Sequence, residues 1–456
     1  MASRLRDAAA PAYLLLCLLL GGSAQGIWAN MILQILGLAL LAWAALASQI
    51  DQPPREARQL FLIVLLGLLV VALQLVPLPP AIWEQFGGRG AIVDGYRVLG
   101  LPPPSLPVST TPYDSAATVL TLIPPLALLA AAVRFGGRPL WLVLALVAGT
   151  LAGILLGALQ VSGADPSASP WYIYEDTNYG LATGFFANAN HMATLLVITL
   201  PFLAALLAAA RTRGRNVQRY SAVLILIAAA ALVIVVGLAL NGSLAGYGLA
   251  VPVLVASAII VMPPRSRVGS WLGVVAALLL VAVVATLAMS PIGGRGFDSD
   301  AAASVQSRHE IVQTSARAAV DFMPLGSGLG SFRRIYALYE DHDRLDPTTT
   351  VPHAHNDYLE LGLETGVPGL VVLLLFLIWW GGAAWRAWTR PDAGDYARAA
   401  AVASAAILVH SLVDFPIRTA AISTCFALCL ALLIQRRPPP AAEPATLRPT
   451  RHVVVG

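Results

Sequence analysis

Residues His353 to Leu370 read HAHNDYLELGLETGVPGL. Two histidines, an asparagine and several carboxylates close a long polar insertion, and from Val367 the chain turns apolar. Ionisable groups are expensive near hydrocarbon and usually mark a working site. A polar cluster that runs straight into a membrane helix places chemistry or binding at the membrane surface.

Outward from that junction the chain is apolar. It has 456 residues, 58% hydrophobic and 11% charged, where a soluble domain carries roughly 25% charged residues. This composition excludes an ordinary soluble domain and predicts an all-α polytopic membrane protein. Its basic residues are all arginine, and the formal charge of +4 is too small to imply a nucleic-acid partner. Cys17, Cys425 and Cys429 lie in apolar runs and read as buried hydrophobes. Cys425 and Cys429 share a helix face, but no His or carboxylate beside them completes a zinc site.

A spanning helix needs about 20 apolar residues. Twelve candidates follow: 12–25, 27–48, 59–76, 114–133, 139–161, 188–210, 220–240, 244–262, 270–290, 367–388, 397–414 and 417–435. Their loops alternate in charge. Arg55/Arg58, Arg134/Arg138, Arg211/Arg213/Arg215/Arg219, Arg265/Arg267 and Arg386/Arg390/Arg398 fall on one side, and the acidic 162–187 loop on the other. The positive-inside rule then places both termini in the cytoplasm. The N-terminus also has the look of a signal peptide, and a retained helix is the preferred reading. Residues 1–435 form one transmembrane domain and 436–456 a Pro- and Ala-rich cytoplasmic tail, expected to be disordered. Two loops outside are long: 77–113, a Pro-rich irregular cap with Trp83 and Tyr96 at the interface, and 291–366, a subdomain between the ninth and tenth spans.

Within that subdomain, Ser304–Met323 has the spacing of an amphipathic helix on or near the membrane, with Arg308 and Arg317 projecting. Pro324–Phe332 (PLGSGLGSF) reads as a tight, exposed glycine turn, with Ser331 capping a helix that starts FRR. Arg333 and Arg334 at that helix start suit an anionic oxygen cluster such as a diphosphate; from the spacing alone, a plain glycine turn before a helix with a solvated basic face is the favoured reading. Glu340, Asp341, His342, Asp343 and Asp346 form an acidic turn that reads as a solvated loop more readily than as a cation site. A helix then begins near His355 and Asn356 and breaks at Gly366. Histidine, with an unperturbed pKa of about 6.5, is the natural base near neutral pH, and at the first turn of this helix it has a free ring to take a proton from a hydroxyl. A capping or interfacial histidine is the plainer alternative.

Four segments together resemble the O-antigen ligase / O-antigen polymerase superfamily of bacterial inner-membrane proteins. They are GFFANANHMATLL (Gly184–Leu196), Arg308 with the following PLGSGLGSF, HNDYLELGLETGVPGL (His355–Leu370) and HSLVDFPIRTAA (His410–Ala421). The resemblance implies a periplasm-facing, inverting glycosyltransferase of the C-type membrane fold that needs no metal or other cofactor. Its donor is a polyprenyl-diphosphate-linked glycan, and its acceptor is lipid A-core, another lipid-linked glycan or a protein. It assigns His355 as general base and Arg308 to the donor diphosphate; Arg333 or Arg334 at the α-helix start is expected to assist. Asn356 and Asp357, with Asn188 and Asn190, are supporting residues. Two departures stand out. The family's Asn-Pro-Asn is Asn188-Ala189-Asn190, and the arginine the family often has after the serine is Leu244, following Ser243. Arg333, Arg334 or Arg418 is the candidate substitute. Ligase and polymerase are not separated by these residues. The alternative function is a transporter of a small solute such as bicarbonate, weakened because the polar groups gather outside rather than at the midplane.

Overall fold

The computed structural model describes residues 2–47, 53–136, 138–213, 217–262, 299–340, 351–390 and 392–435, and among these it is helical with no strand beyond an isolated Leu78–Leu106 bridge. In chain order the helices are α1 (Ala2–Leu20), α2 (Trp28–Leu46), α3 (Arg55–Gln74), α4 (Pro80–Trp83), α5 (Gly90–Val98), α6 (Pro112–Leu120), α7 (Ile123–Phe135) and α8 (Pro139–Val161). Then come α9 (Ala189–Arg213), α10 (Val217–Asn241), α11 (Leu244–Val261), α12 (Ser299–Asp321), α13 (Phe332–Tyr339), α14 (Asp357–Thr389), α15 (Asp395–His410) and α16 (Ala420–Ile434).

Eight stretches among the described residues are long and apolar enough to cross a membrane: α2, α3, α6 continued by α7, α8, α9, α10, α11 and α14. They occupy eight of the twelve expected positions. The expected 270–290 span and the 436–456 tail lie outside the described residues. The other three positions hold helices that fall short. α15 and α16 have 16 and 15 residues, because the chain leaves the helix at Ser411 and does not resume it until Ala420. α1 begins and ends earlier than 12–25; its turn at Gly21 is tied to the start of α16 by Ala421 N–H donating to the Gly21 carbonyl at 2.9 Å.

α9 is the central helix, 89% buried over its apolar window, as a helix apolar on every side should be. It packs against α8, α10, α11 and α15, while α16 and α1 close the bundle with α7. α14 packs on α3 and α12 and also reaches α15 and α16. α12 turns Ile311, Ala318 and Ala319 onto a second, smaller core with Phe322, Phe332, Ile335, Tyr336, Ala354 and Leu363. α14 carries residues of both, Leu363 in this core and Trp379 in the larger one. Trp83, placed at the interface from sequence, is instead fully buried in the 77–113 cap, its Nε1–H donating to the Pro104 carbonyl at 2.9 Å. A ring this large contributes most when wholly removed from solvent and given a partner for its N–H.

The glycine turn is not exposed. Gly326, Ser327 and Gly328 are buried, and their N–H groups are taken by the carbonyls of Phe322, Leu363 and Glu364. Gly326 (φ 80°) and Gly366 (φ 60°) face each other across this contact. A Cβ on Gly326 would meet the Glu364 carbonyl oxygen, and one on Gly366 the Pro324 carbonyl oxygen. The glycines let the turn lie flat on the kink of α14, and that contact fixes where the first turns of α14 point.

Candidate active site

Four of the seven histidines gather at one end of the bundle around Phe415. The rings of His191, His353 and His355 lie 4.9, 4.4 and 5.1 Å from the Phe415 ring, centre to centre. His410 stands at the end of α15, its Nδ1 2.7 Å from Thr194 Oγ1.

His355 is held in a strained backbone. Its φ of 51° is the only positive value outside glycine among the described residues. Such a conformation disfavours a side chain and persists where the surroundings enforce it, often at working sites. The enforcement is visible. Asp357 N–H donates to the Ser411 carbonyl at 2.9 Å, Asn356 Nδ2 to the Leu412 carbonyl at 3.0 Å, and Tyr358 Oη to the Leu408 carbonyl at 2.7 Å. On the other side of His355, Ala354 N–H donates to Glu360 Oε2 at 2.8 Å and His353 Nδ1 to Glu360 Oε1 at 2.9 Å. Asn356 also caps α14, its Oδ1 accepting from Tyr358 and Leu359 N–H.

The ring of His355 points Nδ1 at Asp414 Oδ1, 3.1 Å away. A carboxylate only accepts, so this contact sets Nδ1–H and leaves Nε2 with a free lone pair. The His355 side chain is 19% exposed and that of Asp414 fully buried. Asp414 sits in the turn after α15, where burial pushes its carboxyl up. The hydrogen bond from His355 and the fields of His191, His355 and His410 outweigh that and hold it well below the usual carboxylate range.

Arg418 locks the far side. Its guanidinium lies 3.3 Å from Asp357, 3.1 Å from Glu360 and 3.4 Å from Glu364. Its side chain is only 16% exposed. Committed to three carboxylates, Arg418 has little to offer a phosphate. Glu364 also accepts from Phe332 N–H at 3.3 Å and so caps α13. Ser331, expected in that role, bonds Ser327 instead, hydroxyl to hydroxyl at 2.6 Å. The start of α13 is therefore occupied by the protein's own acid.

Arg308 on α12 is half-buried, makes no ion pair with a described residue and acts electrostatically on His410. It belongs to the histidine end. Arg333 and Arg334 do not join it there. They line an open groove of about 920 Å³ with Gln25, Trp28, Asp114 and Thr118, between α13 and the starts of α2 and α6. Arg334 pairs with Asp114 at 2.6 Å. Asn188 and Asn190 build the start of α9: Asn188 Oδ1 accepts from Asn190 N–H at 2.8 Å, and Asn190 Oδ1 from Ser243 Oγ at 2.7 Å. Their effect is to deliver His191 one residue later. Among the described residues no group of three or more His, Cys, Asp or Glu is arranged to hold a metal ion; the acidic run 341–346 lies outside them.

Sequence reasoning passed over His191, Glu360 and Phe415. The signal for His191 was its place in the ANANH stretch; for Phe415, its place beside Asp414. Distance along the chain hid both, since 224 residues separate His191 from Phe415 (415 − 191 = 224).

Residues 229–374, from α10 into α14, match the family model described as O-Antigen ligase. No curated protein matches the chain. The matched stretch carries Arg308, the glycine turn and His355, and over it the chain is similar to the O-antigen ligase family, in support of the O-antigen ligase / O-antigen polymerase superfamily that its motifs resemble.

Proposed function

We propose that this multi-pass membrane protein moves a glycan from a polyprenyl diphosphate donor to an acceptor hydroxyl at the periplasmic face of the bacterial inner membrane. The family match supports a glycan-transfer role in surface polysaccharide synthesis. The observation that carries the mechanism is the His355–Asp414 pair, a partly exposed imidazole oriented by a buried carboxylate.

In this reading Nε2 of His355 removes the proton from the acceptor hydroxyl. The oxygen attacks the anomeric carbon, the bond from that carbon to the diphosphate oxygen breaks, and polyprenyl diphosphate leaves with the bonding pair and inversion. Arg308, which makes no ion pair with a described residue, stabilises the charge that builds on the leaving group. Glu360 and Arg418 hold the loop that carries His355. Arg333 and Arg334, on their own groove, are candidates to meet an anionic lipid headgroup. Lipid A-core, a second lipid-linked glycan and a protein are the acceptor classes.

The test is transfer from a purified polyprenyl-diphosphate glycan by the full chain in lipid nanodiscs. His355→Ala and Arg308→Ala are expected to abolish transfer while the protein stays folded. Unchanged transfer by both variants refutes the assignment.

A further inference from the structure

Behind His355 lies a set of buried polar atoms that the mechanism above does not use. His191 is 2% exposed, and His410 and Asp414 are fully buried. Nδ1 and Nε2 of His191, Nε2 of His410 and Oδ2 of Asp414 have no hydrogen-bond partner among the described residues. Buried polar atoms are almost always satisfied, and each exception asks for an explanation.

The donor and acceptor character of these atoms follows from their neighbours. Thr194 Oγ1 has one proton, and it donates to the Asn190 carbonyl at 2.9 Å. Thr194 must therefore accept from His410 Nδ1–H across their 2.7 Å contact. Neutral His410 then carries a bare Nε2, an acceptor. Asp414 Oδ2 is a second acceptor, since Oδ1 already receives His355 Nδ1 and Phe415 N–H. Neutral His191 carries one N–H, and that proton is the remaining uncommitted donor of the set. The His191 N–H with His410 Nε2 and Asp414 Oδ2 makes one donor and two acceptors, which a single water molecule completes by accepting once and donating twice; the bare nitrogen of His191 is a third acceptor outside this count. Internal waters with about three such bonds are ordinary parts of a fold. The His191 ring lies 4.9 Å from that of Phe415, the residue next to Asp414, and Asp414 N–H bonds the His410 carbonyl at 3.0 Å.

We propose that His191, His410 and Asp414 enclose one structural water, and that His191 acts through it as a positioning residue for the His355 base. The outer oxygen of Asp414 orients His355; the inner oxygen is held by the water that His191 anchors. Loss of the anchor frees the Asp414 carboxylate to turn, and His355 then loses its fixed tautomer. His191 never touches substrate.

The inference rests on the reading of His355 as the base, and its test separates the two. Full-length protein in nanodiscs, labelled with 15N-histidine, is compared as wild type, His191→Gln and His191→Leu. Glutamine keeps an N–H and an acceptor; leucine keeps neither. The wild type and His191→Gln are expected to show His355 as a single Nδ1–H tautomer, with a water cross-peak to the inner rings. His191→Leu is expected to show mixed tautomers and no such cross-peak. Transfer kcat is expected to fall about ten- to a hundredfold in His191→Leu, as for outer partners that orient an imidazole, with KM unchanged and His191→Gln near wild type. An unmixed tautomer in a folded His191→Leu overturns the inference. So does equal loss of kcat in both variants, which marks a purely structural role. If the spectra change as expected but His355→Ala still transfers glycan, the base assignment fails and the water site stands.

Discussion

Arg418→Ala tests the network that holds the site. The guanidinium is within 3.1–3.4 Å of three carboxylates, and the side chains of Glu360 and Glu364 are 1% and 0% exposed. Removing one partner of a buried ion pair costs about 3–5 kcal/mol, because the remaining charge is left in a poor medium. Three acids share this one cation, so the upper half of that range is expected. At about 1.4 kcal/mol per tenfold, the folded population relative to unfolded falls by about three to three and a half orders of magnitude. The loss should change little with added salt, which screens buried pairs weakly. A denaturant titration of the detergent-solubilised full chain reads it. Much of the cost is the unpaired acid, so Arg418→Met combined with Glu364→Gln should recover about 1 kcal/mol or more relative to Arg418→Ala. Glutamine still accepts from Phe332 N–H, so the cap of α13 survives. A loss under about 1 kcal/mol, the range of exposed pairs, refutes the argument. No recovery in the double variant refutes it as well.

Asp414→Asn leaves the shape of the site but breaks the rule that sets the His355 tautomer; kcat for glycan transfer should fall on the order of 10⁴, as when a base loses its orienting carboxylate, with KM nearly constant. Gly366→Ala forces a Cβ into a backbone with φ 60° and ψ −155° and against the Pro324 carbonyl oxygen. It should cost about 1–3 kcal/mol from backbone strain alone, seen as a lower thermal midpoint. Trp83→Ala empties a fully buried site in the cap and should cost about 3–5 kcal/mol; the same unfolding titration checks it, and a change under about 1 kcal/mol would return Trp83 to the interface.

The motif that opens α14 was legible because its residues are neighbours in the chain: the helix start near Asn356, the break at Gly366 and the exposed edge of His355 all follow from local chemistry. The glycine turn was misread for the opposite reason. Its alternating glycines signal a backbone that bends, and this is true. Nothing in the sequence says whether the bend faces water or lies against another segment, and the kink of α14 supplies that answer.

The sequence by itself determined that this chain is built of apolar helices and that its polar chemistry collects where the 291–366 insertion meets them. Both are consequences of composition and period, which a membrane reads residue by residue. Only the tertiary structure decided which ionisable groups work together. Arg418, open from sequence as a phosphate contact, is consumed by Asp357, Glu360 and Glu364. Arg333 and Arg334 sit on a separate groove, and His191 and His410 come to the His355 end from α9 and the end of α15. Charge pairing depends on separation in space, falling off as 1/r and with the local dielectric, and that separation is fixed by helix packing between segments as far as 224 positions apart (415 − 191 = 224).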